Sequence, residues 1–124
     1  MKITSFNPQI ITGDAEAVAK AFEALDFERR HQPKGIGGLD VTGIRMKDAN
    51  GFCLDISQPN LQLPQDLTAI RMNVDNFGEA YDLLTAHGFR NFYGDQTVDT
   101  ASAESAIMIS PSGFIINLIH HIQD

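Results

Sequence analysis

Two stretches of the chain repeat one pattern: DANGFCLDIS from position 48 and SPSGFIINLI from position 110, which are 110 − 48 = 62 positions apart. Each has a turn, a Gly-Phe pair, and an apolar strand interrupted by one polar residue. At that offset the identities are Ala24/Ala86, Phe27/Phe89, Met46/Met108, Gly51/Gly113 and Phe52/Phe114. Identities this sparse are near chance. The stronger signal is the order of elements, which stays in register under the one offset without a gap.

Each half opens with a strand pattern, FNPQIIT and LTAIRMNV. A helix signal follows. Asp14 is placed to cap the first helix, with Val18, Ala21, Phe22 and Leu25 on one face. In the second half NFGE, residues 76–79, resembles a capping box, Ala80, Leu83 and Leu84 form the face, and Gly88 is the stop. Three short extended runs then follow in each half: FERRHQ, LDVTGIRM and FCLDIS, against FRNFYG, SAIMIS and FIINLIHHI. The spacing therefore predicts an α+β chain of two tandem βαβββ modules, about 1–60 and about 64–124, joined by QPNLQLPQD. Each half is marginal in size alone, so one domain, residues 1–124, with a shared core is expected.

Composition sets the outer limits. With 124 residues, 43% hydrophobic and 20% charged, the chain can bury a sizeable core. A net charge of −7 and no basic run argue against nucleic acid, whose affinity rests on clustered cations. One cysteine, Cys53, excludes an internal disulfide framework, and MKITSFNPQI lacks the apolar core of a signal peptide. No apolar run approaches the ~20 residues needed to span a bilayer. A cytoplasmic protein with no membrane partner is the expectation.

TGDAEAVAKAFEALDF, DANGFCLDISQP and PSGFIINLIHH together resemble the vicinal oxygen chelate superfamily, which includes glyoxalases, bleomycin-resistance proteins and extradiol dioxygenases. The first resembles the family's Val-x-Asp-Leu-Glu-x-x-x-x-Phe-Tyr helix start. The other two resemble two copies of its Asp-Pro-Asp-Gly-Asn-x-Ile-Glu-Leu strand. The resemblance implies curved mixed sheets enclosing a cleft, glyoxalase-like, usually completed as a homodimer.

It also implies where metal-dependent members would place ligands here: Asn7, Asp55, Ala69 and Asn117. This set is degenerate. Divalent ions favour imidazole or carboxylate donors, and only Asp55 supplies one. His121 shares strand parity with Asn117 but stands four residues away, roughly 13 Å along an extended strand. No cofactor and no metal are expected. His120 and His121 read as a polar strand end, His31 as a surface residue, and His87 as outward or half-buried at the helix end.

If the carried-over positions face inward, their alternate neighbours do too. That face holds Asn7, Gln9, Ile11, Cys53, Asp55, Ser57, Ala69, Arg71, Asn73, Asn117 and Ile119. Ile10, Leu54, Ile56, Ile70, Met72, Ile116 and Leu118 then pack beneath the helices. Amides and charges are costly in a plain core, so Asn7, Gln9, Asp55, Ser57, Arg71, Asn73 and Asn117 are the candidate lining of a wet ligand cleft.

Arg71 can hold a carboxylate, phosphate or phenolate through its planar fork, or serve only as an ion-pair partner of Asp55. An arginine neighbour would lower the pKa of Asp55 and disfavour it as a general base. Cys53 has no inferable histidine partner and reads as a small filler. KGIGGLD, residues 34–40, fits neither phosphate-binding fingerprint and reads as a hairpin loop. FYGDQTVDT, residues 92–100, reads as a surface turn, the alternative being an aromatic and acidic lip over the cleft made by Phe92, Tyr93 and two aspartates.

The function expected is metal-independent binding of a small molecule, as in bleomycin-resistance proteins. The alternatives are a glyoxalase-like, metal-dependent lyase, isomerase or dioxygenase with atypical ligands, and a dimeric interaction module without a ligand. Binding without catalysis is the reading favoured, with a glyoxalase-type lyase or isomerase as the enzymatic alternative.

Overall fold

A computed structural model describes residues 1–31, 42–60, 62–94, 98–99 and 103–121. KGIGGLD lies outside the described residues. The elements run β1 (Ile3–Ile11), α1 (Ala15–Ala24), β2 (Glu28–His31), β3 (Thr42–Lys47), β4 (Cys53–Gln58), β5 (Leu67–Val74), α2 (Phe77–Ala86), β6 (Arg90–Asn91), β7 (Val98–Asp99), β8 (Ala103–Ile109) and β9 (Ile115–His121). This is the expected βαβββ order in each half. The two-residue β7 is an addition, formed within the segment read from sequence as a loop.

The chain divides into two compact units, Asn7–Thr68 and Met1–Phe6 together with Ala69–Asp124. In the first unit the strand order is β2-β3-β4-β1, with β4 antiparallel to β3 and parallel to β1. In the second it is β5-β9-β8-β6, with β9 parallel to β5 and antiparallel to β8, and β7 pairing with β8. Strand pairing is mixed, parallel and antiparallel, within each unit, and the fold class is α+β.

The offset of 62 recurs in atomic detail. Gln9 pairs with Asp55 and Arg71 with Asn117; Arg45 pairs with Asp55 and Ile107 with Asn117. Both helices are N-capped by a side chain, Asp14 accepting from the Ala17 N–H and Asn76 from the Glu79 N–H. Both end in the same left-handed cap. The Phe27 N–H reaches back to the Phe22 carbonyl and the Phe89 N–H to the Leu84 carbonyl, while Asp26 and Gly88 take φ of 72° and 90°. Both hairpin turns of the opening motif place glycine at positive φ, Gly51 and Gly113. Asp48 Oδ1 accepts from the Asn50 and Phe52 N–H groups, and Ser110 Oγ accepts from Gly113 and Phe114. The repeated motif is thus one capped hairpin built twice.

The buried helix stripes are Ala15, Val18, Ala19 and Phe22, and Phe77, Ala80, Tyr81 and Leu84. These correct the faces read from sequence, since Ala21, Leu25 and Leu83 are exposed. Leu25 is the cap residue beyond the helix, and the close approach of α1 to its sheet rests on alanines, which carry little hydrophobic signal. Beneath α1 pack Ile10, Ile44, Met46, Leu54 and Ile56, and beneath α2 pack Met72, Val74, Met108, Ile116 and Leu118. The alternation read from sequence therefore places Ile10, Leu54, Ile56, Met72, Ile116 and Leu118 on the helix side, whereas Ile70 is half-buried and belongs to neither cluster. Arg29 braces β2 against α1, donating to both oxygens of Glu16 at 2.8 Å and to Glu23. The Glu16 and then the Glu23 hydrogen bonds push the guanidinium pKa above its ordinary value, so it stays charged.

The two helix stops make opposite predictions. A Cβ on Gly88 would meet Pro111 Cγ at 2.9 Å on a backbone already at φ +90°. Gly88→Ala should cost about 1–3 kcal/mol. Asp26 occupies the equivalent place with a side chain, and Asp26→Gly should gain about 0.5–1 kcal/mol from relief of the left-handed penalty. Urea midpoints of the two variants, shifted in opposite directions, are the expected result.

Candidate functional site

The polar residues lie on the strand faces turned away from the helices. In the first unit the register aligns Arg45, Asp55 and Gln9 in one row across β3, β4 and β1. Asp55 is the hub of that row. Its Oδ1 accepts from Arg45 Nε at 3.0 Å, and its Oδ2 accepts from Asn7 Nδ2, which also reaches the Pro8 carbonyl. Asn7, Gln9 and Asp55 are buried, whereas the Arg45 side chain is 39% exposed. Ser57, one row along, is half-buried and pairs with Gly43 and Ile11.

Arg45 is the member that the sequence reading did not single out. It sits one strand away from Asp55, and the antiparallel register of β3 with β4 brings the two side chains together. Counting back across the hairpin from Cys53 opposite Lys47 would have found it.

In the second unit the equivalent row is Ile107, Asn117 and Arg71, across β8, β9 and β5. The next row is Ser105, Ile119 and Asn73. Arg71 and Asn117 are half-buried. Asn73 is 8% exposed; its Nδ2 donates to Ser5 Oγ at 2.6 Å, and its Oδ1 has no hydrogen-bond partner among the described residues. A buried acceptor in that state costs about 1–3 kcal/mol. The candidate residues therefore form two sets: Asn7, Gln9, Asp55 and Ser57 in one unit, Arg71, Asn73 and Asn117 in the other.

The ligand positions carried over from the family do not fit a divalent cation. Ala69 is buried and offers no donor, Asn7 and Asn117 are neutral amides, and each carboxylate oxygen of Asp55 already accepts a hydrogen bond. Among the described residues no group of three His, Cys, Asp or Glu side chains is placed to hold a metal.

The remaining candidates have local roles. Cys53 is half-buried rather than a buried filler, with its Sγ 3.7 Å from the Gly51 carbonyl. His120 Nδ1 lies 3.2 Å from Glu104 Oε1, and His87 is the exposed C-cap of α2. No helix among the described residues is long and apolar enough to cross a membrane.

Two βαβββ units with parallel first and last strands and a polar face opposite each helix define a glyoxalase-like fold. Three solved structures share it. The methylmalonyl-CoA epimerase from Mycobacterium tuberculosis aligns with a TM-score of 0.68 at 10% identity, covering 95% of this chain and 88% of that one. A glyoxalase I mutant from Zea mays aligns at 0.68 and 12% identity, where this chain, covered to 98%, spans 45% of the longer protein. The Streptomyces coelicolor methylmalonyl-CoA epimerase, in complex with 2-nitronate-propionyl-CoA, aligns at 0.62 and 14% identity over 96% of this chain and 98% of that one. No family model matches the sequence, and no curated protein matches it.

Proposed function

We propose that this protein binds a small molecule without a metal, through the polar strand faces, and acts as a homodimer. The observation that carries the reading is Asn73. Its amide is 92% removed from solvent, and its oxygen has no donor among the described residues, which lowers stability even though the nitrogen is satisfied by Ser5. Such costs are typical of surfaces kept for a ligand. The buried Asn7, Gln9 and Asp55 on the other unit's matching face support the same reading. The solved epimerase complex of this fold supports small-molecule binding as a use of the architecture, and the metal is set aside on the chemistry of the donor set.

The test is native mass spectrometry of the protein purified from cells without a metal chelator, with elemental analysis of the same sample. The expected result is a dimer carrying a co-purified small molecule and no stoichiometric divalent metal. Dialysis against EDTA should leave both the melting temperature and the bound molecule unchanged. One divalent ion per site, lost to EDTA together with stability, would instead favour glyoxalase-type chemistry.

A further inference from the structure

Asn73 Oδ1 in the second unit is a buried acceptor with no hydrogen-bond partner among the described residues. Asn73 lies inside β5, where Met72 and Val74 on either side pack beneath α2, so its side chain stands on the opposite face. A direct contact fixes that direction. Asn73 Nδ2 donates to Ser5 Oγ at 2.6 Å. A reciprocal pair ties the head of β1 to the end of β5 beside that contact, the Asp75 N–H donating to the Lys2 carbonyl at 3.0 Å and the Lys2 N–H to Asp75 Oδ1 at 2.6 Å. The amide is thus pinned at its nitrogen, and its oxygen is left over.

Ser5 supplies the complementary group. A hydroxyl has one hydrogen and two lone pairs, and accepting from Asn73 uses a lone pair, so the Ser5 hydrogen remains to donate. A fixed acceptor and a donor therefore stand side by side. The row continues away from Ser5 to Ile119, opposite Asn73 on β9, which is apolar and buried. Both polar groups are neutral, and this decides what they suit. A carboxylate would set its oxygens against Asn73 Oδ1, and an ammonium would lose its hydration at a buried residue with no counter-charge in the pair. A group that carries an N–H beside a carbonyl satisfies both atoms at once.

We propose that Asn73 and Ser5 bind the amide group of a neutral ligand, its N–H donating to Asn73 Oδ1, its carbonyl accepting from the Ser5 hydroxyl, and its hydrocarbon lying against Ile119. The proposal rests on the small-molecule reading above and narrows it to one ligand class. Ser5 is half-buried, and the ligand enters from that side. Because β1 and β5 already hold the two groups in place, binding requires little reordering of the protein. The pair lies wholly within one unit and uses neither Arg71 nor the Asp55 cluster.

The test is an NMR titration of the full-length, isotope-labelled protein with δ-valerolactam, N-methyl-δ-valerolactam, cyclohexanone and piperidinium, following the side-chain amide signals of Asn73. δ-Valerolactam, whose N–H and carbonyl are adjacent, should move those signals and bind at least about fivefold more tightly than each of the others. Asn73→Leu and Ser5→Ala should each lower its affinity about fivefold. Ser5 is half-buried, so Ser5→Ala carries the test if Asn73→Leu does not fold. Equal binding of the N-methyl compound or of cyclohexanone would show that Asn73 Oδ1 takes no donor from a ligand, and equal binding of piperidinium that the site is not selective for a neutral group. Either result overturns the inference. So does a co-purified molecule without an amide N–H, although small-molecule binding then stands. A protein that binds none of the probes and carries no co-purified molecule overturns both readings.

Discussion

Leu118→Ala should be the most damaging single truncation in the second unit, costing about 3 kcal/mol. The side chain is 0% exposed, on the central strand β9, between Met72 of β5 and Ala106 of β8 and within the cluster beneath α2. Neighbouring strands are hydrogen-bonded on both sides, so the backbone cannot collapse into the space left, and the cavity persists. For a chain of this size that loss lowers the melting temperature by roughly 10–12 °C. The same position in the first unit is Ile56, 1% exposed, and Ile56→Ala should cost about as much. Scanning calorimetry checks both. A shift under about 3 °C for either variant would mean that the site relaxes and that this core is less tightly packed than its burial indicates.

Asp55→Ala should cost about 2 kcal/mol, and for a different reason. Removing the carboxylate leaves one N–H of the buried Asn7 amide without its acceptor, the other keeping the Pro8 carbonyl, while Arg45, 39% exposed, recovers water at little cost. The Asn7 contribution to that loss comes from the amide hydrogen left without its acceptor. Asn7→Ala in the Asp55→Ala background should cost less than Asn7→Ala alone, because the stranded donor is removed with its partner gone. A melting temperature about 8 °C lower for the single variant, with a non-additive double variant, is the expected result. Strict additivity would show that Asn7 and Asp55 do not act together.

Much of this architecture is legible in the sequence because the repeat is legible. Once DANGFCLDIS and SPSGFIINLI are recognised as one hairpin made twice, the element order, both helix caps and the alternation of strand faces follow from local chemistry. What is not legible depends on register. Arg45 reaches Asp55 only because β3 and β4 pair with Arg45 opposite Asp55, a fact held in the turn geometry rather than in the residue itself. The helix faces are misread for a related reason. Ala15 and Ala19 are buried through close backbone approach, whereas Leu25 and Leu83, stronger hydrophobes, project into solvent. Asn91 gives no sequence signal either, since the turn it anchors by accepting from the Tyr93 and Gly94 N–H groups also involves its bond to Tyr81 of a separate helix.

The division of β1 between the two units has a consequence for synthesis. Its residues up to Phe6 belong with Ala69–Asp124, and the rest of the strand belongs with Asn7–Thr68. Ser5 meets its partner Asn73 68 residues later in the chain, and Lys2 meets Asp75 73 residues later. On a ribosome the residues of the first unit emerge before those of the second, so the head of β1 has to stay unpaired until the second unit follows. The head of β1 is therefore an exposed strand end, carrying Ile3 and Phe6, for the whole interval in which the second half is being made.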